Sequence, residues 1–506
     1  MITAIEKTLM KASENGNTAM SEDALRSHLH GSLNGMDDLL RQGKVAYYQL
    51  RGKYYFSLRE YAEKEEAIAY KLCEMLSNKP VYIADSAIKA CLRRYDPQGR
   101  LHEKQREAVF MAVRSSVMAF IGGAGTGKTT TVLRIYQTLK SLNPNSKFLL
   151  CAPTGKAARR MKEALDITGL EAFTLHKKLG ITADNLNPSL IDADFLFIDE
   201  VSMLDIDVAY SLFKAVKSTT RIIFIGDAGQ LPSVGPGAVL RDFIASGIMP
   251  VTMLTKTFRQ QGGSPIVSNA TNIRNGIQKL EVKNGTADDP GDFIITKPSE
   301  LSPLNISTSD FLIGSYLHKA AEVGIENVAL LSPYRQEKFQ TGAEYLNKMI
   351  QQKVNNSSVS IDGPVHTFRM GDRIMQLENR SECANGDVGE VVGVYRNGLI
   401  ARFVDCEVEY KKSELDELTL AYALSVHKSQ GSEYKAVISC MLNEHKAMQQ
   451  RNLLYTAVTR AKQDFILLAD DTALKKSIAT DATASRCTLL AEKIRDVAAY
   501  YGIYAA

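Results

Sequence analysis

The chain has 506 residues, of which 45% are hydrophobic and 23% charged, with 34 Gly and 14 Pro. This profile excludes a largely disordered, collagen-like or disulfide-scaffold protein, and the length suggests three or four domains at roughly 150 residues each. Lys and Arg number 61 against 57 Asp and Glu, and the resulting net charge of +4 neither demands nor excludes a nucleic-acid partner.

No run of about 18 apolar residues marks a membrane span, and the first residues (MITAIEKTLMKASENGNTAM) lack the apolar centre of a secretory signal. Seven cysteines, at 73, 91, 151, 383, 406, 440 and 487, are scattered without a CxxC pair. Such usage fits a reducing cytoplasm and speaks against a structural zinc site. Trp is absent, so any base stacking would fall to Tyr, Phe or His.

Residues 1–95 read as a separate unit. Polar helical stretches at 21–29 and 34–42 lead into two short aromatic-rich strands, 45–50 and 53–58, separated by Arg51-Gly52. Helix, helix, hairpin is the order of a winged-helix module, and a helical docking domain fits as well. From residue 117 the texture changes. Apolar runs at 117–122, 147–153, 195–200 and 221–227 end in Gly, Pro, Asp or Glu and alternate with helical stretches. Buried strands of a parallel sheet look like this, with function carried at their C-terminal ends. A second set follows at 327–333, 436–442 and 464–470, so two α/β units are expected over 96–262 and 263–475. Within the second, residues 371–415 alternate at period two and predict a small inserted antiparallel β-barrel. Residues 476–506 form a tail with a helix over 489–501 and no assignable motif.

Gly122, Gly123, Ala124, Gly125, Thr126, Gly127, Lys128 and Thr129, continued by Thr130, match the P-loop pattern between a strand and a helix. Glycines let backbone N–H groups converge on phosphates, and the helix N-terminus adds a favourable dipole. Lys128 would reach the β- and γ-phosphates and Thr129 would hold Mg²⁺. Asp199 and Glu200 end an apolar strand some 70 residues on. There Asp199 can fix Mg²⁺, while Glu200 can orient and deprotonate the attacking water. Gln230, after the next strand, is placed to sense the γ-phosphate or that water. The first unit is therefore expected to bind and hydrolyse a nucleoside triphosphate.

Further strings stand in register with these: residues 101–109 (LHEKQREAV), 152–160 (APTGKAARR), 174–176 (TLH), 198–203 (IDEVSM), 226–237 (GDAGQLPSVGPG), 257–260 (TFRQ), 425–433 (SVHKSQGSE) and 455–461 (YTAVTRA). With the P-loop among them, the chain resembles the RecD-like superfamily 1 DNA helicases, related to the TraA and Dda-type enzymes, over about residues 100–470. The resemblance implies an α/β fold of two RecA-like P-loop lobes and an ATP-driven motor on single-stranded DNA, with 5′→3′ polarity. It gives Gln105 the adenine edge, Arg259 and Arg460 the γ-phosphate, and Glu433, beside Gln430, a role near the ribose. Single-strand contacts are implied for Pro153, Thr154, Lys156, Thr174, His176, Ser425, His427 and Lys428, short polar and cationic side chains suited to phosphate and sugar.

Relatives in this group carry a strand-separating pin just before the DE strand, here about 179–193, which is short and has no aromatic wedge. The inserted barrel resembles their accessory domain beside the pin. A relaxase histidine cluster and a separate nuclease domain are not expected. Two other readings compete with the motor. A GTPase should show an NKxD guanine signature, which is not found, and a ring ATPase would not be expected to contain the 425–433 and 455–461 strings. A winged-helix binding module with a regulatory ATPase would place duplex binding in residues 1–95 and hydrolyse ATP without net unwinding. The expected partners are single-stranded and tailed duplex DNA and an unidentified replication or repair protein; the pathway is not legible.

Overall fold

The computed structural model describes residues 3–167, 169–182, 185, 187–257, 264–284 and 291–504. The chain divides into two compact units. One comprises Met1–Pro153, Ala158–Phe258 and Ala482–Ala506, the other Thr154–Ala157 and Arg259–Asp481.

The first unit opens with helix Ala4–Glu14, whose N-terminus is closed by a Thr3/Glu6 capping box. A short strand β1 (Met20–Ser21), helices Glu22–His28 and Met36–Arg41, and strands β2 (Val45–Leu50) and β3 (Lys53–Leu58) follow. The three strands pair antiparallel in the order β1-β3-β2. Leu50 pairs with Lys53 across Arg51 and Gly52, both at positive φ (49° and 78°), the backbone of a tight two-residue hairpin turn. Ile5, Leu9, Leu25, Met36, Leu39, Val45 and Phe56 give this module a small core of its own.

Beyond it, β4 (Val117–Gly122), β5 (Phe148–Ala152), β6 (Glu171–Thr174), β7 (Phe195–Ile198), β8 (Arg221–Gly226) and β9 (Val251–Leu254) form one sheet in the order β6-β5-β7-β8-β4-β9. Every pairing in it is parallel. Helices cover both faces, so β4 and β7 are buried along their whole length and read as continuous apolar runs. Helix Arg59–Ser77 lies on one face: Ile68, Leu72 and Cys73 share a core with Ile198, Phe224 and, from the C-terminal helix Leu490–Tyr500, Leu490, Ile494 and Val497.

The second unit has its own all-parallel sheet. Strands β10 (Phe293–Thr296), β11 (Val328–Ser332), β19 (Ala423–Ser425), β20 (Tyr434–Met441) and β21 (Ala461–Ala469) run in the order β10-β21-β20-β11-β19. Two parallel α/β sheets of this kind fit two RecA-like lobes. Between β11 and β19 the chain adds a hairpin, β12 (Ser360–Asp362) and β13 (Thr367–Arg369), and a five-stranded antiparallel sheet. That sheet comprises β14 (Arg373–Gln376), β15 (Val388–Tyr395), β16 (Gly398–Arg402), β17 (Glu407–Lys411) and β18 (Leu418–Leu420), in the order β17-β16-β15-β14-β18. Among the described residues no helix is long and apolar enough to cross a membrane.

Candidate functional site

In the first sheet β7, β8 and β4 are neighbours, and being parallel they deliver their C-terminal ends to one edge. The P-loop follows β4, Asp199 and Glu200 follow β7, and Asp227 and Gln230 follow β8. Residues separated by up to 108 positions are thus gathered by topology, at the edge where open α/β sheets bind ligands.

The loop geometry fits a phosphate. Gly125 and Gly127 lie at φ +73° and +78°, where a side chain is strained, and Gly127 caps helix Lys128–Leu142. A Cβ on Gly122 would fall 2.5 Å from Thr126 Oγ1, so only glycine leaves the loop its path. Thr126 Oγ1 donates to the Gly123 carbonyl (2.8 Å), and Lys128 Nζ donates to the carbonyls of Gly122 (2.6 Å) and Gly123 (3.0 Å). The ammonium is thereby held over the loop by acceptors an anion could replace. Thr129 and Thr130, at the start of the helix, are exposed. Gln105 is buried: its Oε1 accepts from the His102 N–H (2.9 Å), and its Nε2 donates to the Thr126 carbonyl (3.4 Å).

At the end of β7, burial and the adjacent Glu200 push the Asp199 carboxyl well above the usual carboxylate range, against the pull of Lys128 and Arg160. A buried carboxyl beside a second acid and facing a lysine is a group whose charged form a bound cation would favour. Glu200 sits at φ 49°, ψ 40°, a left-handed conformation that costs a non-glycine residue roughly 1–2 kcal/mol. Its carbonyl accepts from the Met203 N–H (3.0 Å), closing the turn Val201–Met203. On the next strand Asp227 is 1% exposed and accepts from the Gly229 N–H (3.0 Å), shaping the turn that carries Gln230.

Two strands further along the same edge, β5 and β6 pair Ala152 with Thr174. Thr154 Oγ1 accepts from the Ala157 N–H (3.3 Å) and Thr174 Oγ1 from the Lys177 N–H (3.1 Å), so both threonines cap the helix that follows them. Pro153 and Thr154 are half-buried, and His176 is exposed. The Lys156 ammonium lies 5.6 Å from the Tyr434 ring centre. In the segment 179–193, Thr182 and Asn185 exchange backbone hydrogen bonds and the Ser189 N–H returns to the Leu179 carbonyl. Leu190, just beyond that closure, is 78% exposed.

In the second unit Ser425 ends β19, directly beside Ser332 at the end of β11. Burial holds the His427 imidazole below its ordinary range, and burial together with Arg335 lowers the Lys428 ammonium. Arg335, which the sequence reading missed, is near enough to Lys428 to disfavour its charge and is itself paired with Glu344 at 2.8 Å. Its loop also carries Tyr334 stacked on Phe339 with ring centres 4.4 Å apart, and Lys338 over the Phe339 ring. The available signal was an apolar strand ending in Pro-Tyr-Arg. Lys428 Nζ donates to Asn385 Oδ1 (2.8 Å).

Arg460 is 3% exposed, and its guanidinium donates to the carbonyls of Ser432 (3.0 Å) and Thr456 (3.2 Å). It is tied into the 430–433 segment of its own unit. Gln430 is buried, and the Glu433 carboxylate pairs with Lys462 at 3.3 Å. Arg259 lies outside the described residues.

Comparison with known proteins agrees with this layout. Residues 105–236 match the AAA domain model and residues 420–468 the UvrD-like helicase C-terminal domain. The ATP-dependent RecD2 DNA helicase of Deinococcus radiodurans is 32% identical over 400 residues, covering 78% of this chain and 52% of that protein. The RecBCD enzyme subunit RecD of Mycolicibacterium smegmatis is 29% identical over 429 residues, covering 78% of this chain and 75% of its own length. Over most of its length the chain is similar to the RecD-like helicases. It spans about half the length of its Deinococcus relative. A crystal structure of Pif1 helicase from Bacteroides in complex with ADP-AlF3 and ssDNA covers 73% of this chain at 20% identity, with a TM-score of 0.46.

Proposed function

We propose that this chain is an ATP-dependent DNA helicase that moves on single-stranded DNA, 5′→3′, and converts ATP hydrolysis into strand separation. The convergence of the P-loop, the Asp199-Glu200 pair and Gln230 on one edge of the first sheet carries the reading. Residues 122–130 would hold the triphosphate, with Gln105 at the base. Thr129 and Asp199 would hold Mg²⁺, which when bound neutralises phosphate charge as it develops. Glu200 accepts the proton of the attacking water, and Gln230 orients that water. Arg460 would have to exchange its Ser432 and Thr456 acceptors to meet a phosphate, and Arg259 is assigned the same task by resemblance alone. DNA contacts are assigned to Pro153, Thr154, Lys156, Thr174, His176, Ser425, His427 and Lys428, with Arg335 added.

The element order of residues 4–58 supports a winged-helix-like domain, and the 373–420 sheet a small accessory barrel. Seven free cysteines fit a reducing cytoplasm. A second reading, a DNA-stimulated translocase that opens duplexes only with a partner, is favoured by the short 179–193 segment, whose sequence carries no aromatic residue.

The test is strand separation on matched duplexes carrying a 5′ or a 3′ single-stranded tail. Opening from the 5′ tail alone is expected, and opening from the 3′ tail alone overturns the polarity. DNA-stimulated ATPase without opening supports the second reading. Lys128→Ala should abolish turnover, and Glu200→Gln should bind ATP without hydrolysing it; near wild-type hydrolysis by Glu200→Gln would disprove the base assignment.

A further inference from the structure

The sequence attaches no role to the C-terminal tail, yet Ala482–Ala506 belongs to the first unit. Its Arg486 guanidinium donates to the carbonyls of Ser233 (2.6 Å), Gly237 (2.6 Å) and Gly235 (3.1 Å) and to Ser233 Oγ (3.0 Å). All four acceptors sit in the loop 231–237, which continues directly from Gln230 and has no ladder of its own. A planar fork of five donors is the side chain that can satisfy several diverging loop carbonyls at once.

The tail backbone is itself anchored. Arg241 donates to the carbonyls of Thr483 (2.7 Å) and Arg486 (2.8 Å), with Asp242 balancing its charge at 2.7 Å. Gly16 makes room for the guanidinium, because a Cβ there would collide with it, and the Gly16 carbonyl accepts from the Gly237 N–H (3.0 Å). On its other side the loop is fastened to the segment that carries Glu200. The Ile206 N–H donates to the Pro236 carbonyl (2.9 Å), and the absent side chain of Gly235 leaves space for the Asp205 carboxylate. Asp205 Oδ1 in turn caps helix Ile206–Ala215 by accepting from the Val208 N–H (2.8 Å). The 231–237 loop therefore links the two residues assigned to the attacking water, and Arg486 closes it from behind.

We propose that Arg486 is a positioning residue for ATP hydrolysis, holding the 231–237 loop so that Gln230 keeps a fixed geometry. This rests on the hydrolysis reading above. Groups that act only in the transition state are sensitive to displacement, and a slip of about 1 Å can cost on the order of a hundredfold in rate. Binding of ATP, which depends on the P-loop, is separate from this loop.

The experiment is steady-state ATPase on the full chain, saturated with single-stranded DNA, for the wild type, Arg486→Ala, Gln230→Ala and the double variant, with thermal melting of each. Arg486→Ala should lower kcat by roughly 10- to 100-fold while KM for ATP stays within about twofold. Arg486→Lys should recover part of the loss, since a point charge reaches fewer of the four acceptors. If Arg486 acts through Gln230, its removal should add nothing further to Gln230→Ala. An unchanged kcat, losses that multiply in the double variant, or a kcat loss matched by loss of folded protein overturns the proposal. Should Arg486→Ala not fold, Arg486→Lys enters the same cycle with the same criteria. Lys128→Ala separates the two levels. Turnover in that variant defeats the hydrolysis reading itself, whereas a dead Lys128→Ala beside an unaffected Arg486→Ala defeats the positioning role alone.

Discussion

Gly122→Ala tests whether the phosphate loop depends on an empty Cβ position. The new methyl would lie 2.5 Å from Thr126 Oγ1, 3.1 Å from Leu254 Cβ and 3.3 Å from Lys128 Cγ. Thr126 is 2% exposed, so its hydroxyl cannot swing into water. To escape, it must break its 2.8 Å bond to the Gly123 carbonyl, which keeps Lys128 Nζ at 3.0 Å while the Thr126 hydroxyl is left buried and unsatisfied. That costs about 1–3 kcal/mol, which corresponds to roughly 5- to 150-fold in an equilibrium constant. The loss should fall on nucleotide affinity, because the displaced loop is the one on which phosphate binding rests. Titration with a fluorescent nucleotide, beside kcat/KM for ATP, reads it directly. Thr126→Ala removes the atom that is struck, so the double variant should bind no worse than Thr126→Ala alone, a departure from additivity expected of neighbours in contact. Affinity within twofold of wild type in Gly122→Ala, or additive losses in the double variant, would refute the steric reasoning.

Two further outcomes are expected away from the site. Glu65 is fully buried, pairs with Lys493 at 3.0 Å and accepts from Thr18 Oγ1 (2.5 Å) and the Leu489 N–H (3.1 Å). Glu65→Ala would leave the Lys493 ammonium, still donating to the Ala62 carbonyl (2.8 Å), without its counter-charge and cost about 3 kcal/mol, seen as a lower urea midpoint; an unchanged midpoint would show that the tail docks without this pair. His445 is buried with its Nδ1 accepting from the Leu442 N–H (3.0 Å) and its Nε2 2.9 Å from Thr341 Oγ1, and burial lowers its pKa to about 4. The unfolded chain titrates this group near 6.5 and so binds more protons than the folded one between pH 6.5 and 4. Stability should therefore be fully present above pH 6.5 and fall as the pH drops through that window, by at most about 3 kcal/mol. The urea midpoint of His445→Gln should lose that slope, and an unaltered slope would assign it to other groups.

The strands that carry chemistry were legible because their burial on both faces leaves continuous apolar runs, and because phosphate binding needs a contiguous string. β4, β5, β7, β8, β11, β20 and β21 each announce themselves in this way, as do the hairpin strands β2 and β3 around Arg51-Gly52. The short strands β6, β9, β10 and β19 all stand at the edges of their sheets. Such segments carry too little periodicity to declare themselves, and they become strands only because a neighbour offers a ladder. Helix Ala4–Glu14 was overlooked although Thr3 and Glu6 form a capping box at its start, a local signal that was there to be read.

The amino-acid sequence by itself determined which residues can hold a triphosphate and polarise water, since that chemistry follows from residue type and short spacing. Only the tertiary structure decided what surrounds them. Arg335 joins Lys428 through the pairing of β11 with β19, and Arg460 is buried against the backbone of its own unit. Arg486 reaches the loop after Gln230 from a position 253 residues downstream of Ser233. A guanidinium meeting loop carbonyls leaves no periodic trace in the chain, because nothing in the spacing of an irregular tail specifies where the fold will bring it back.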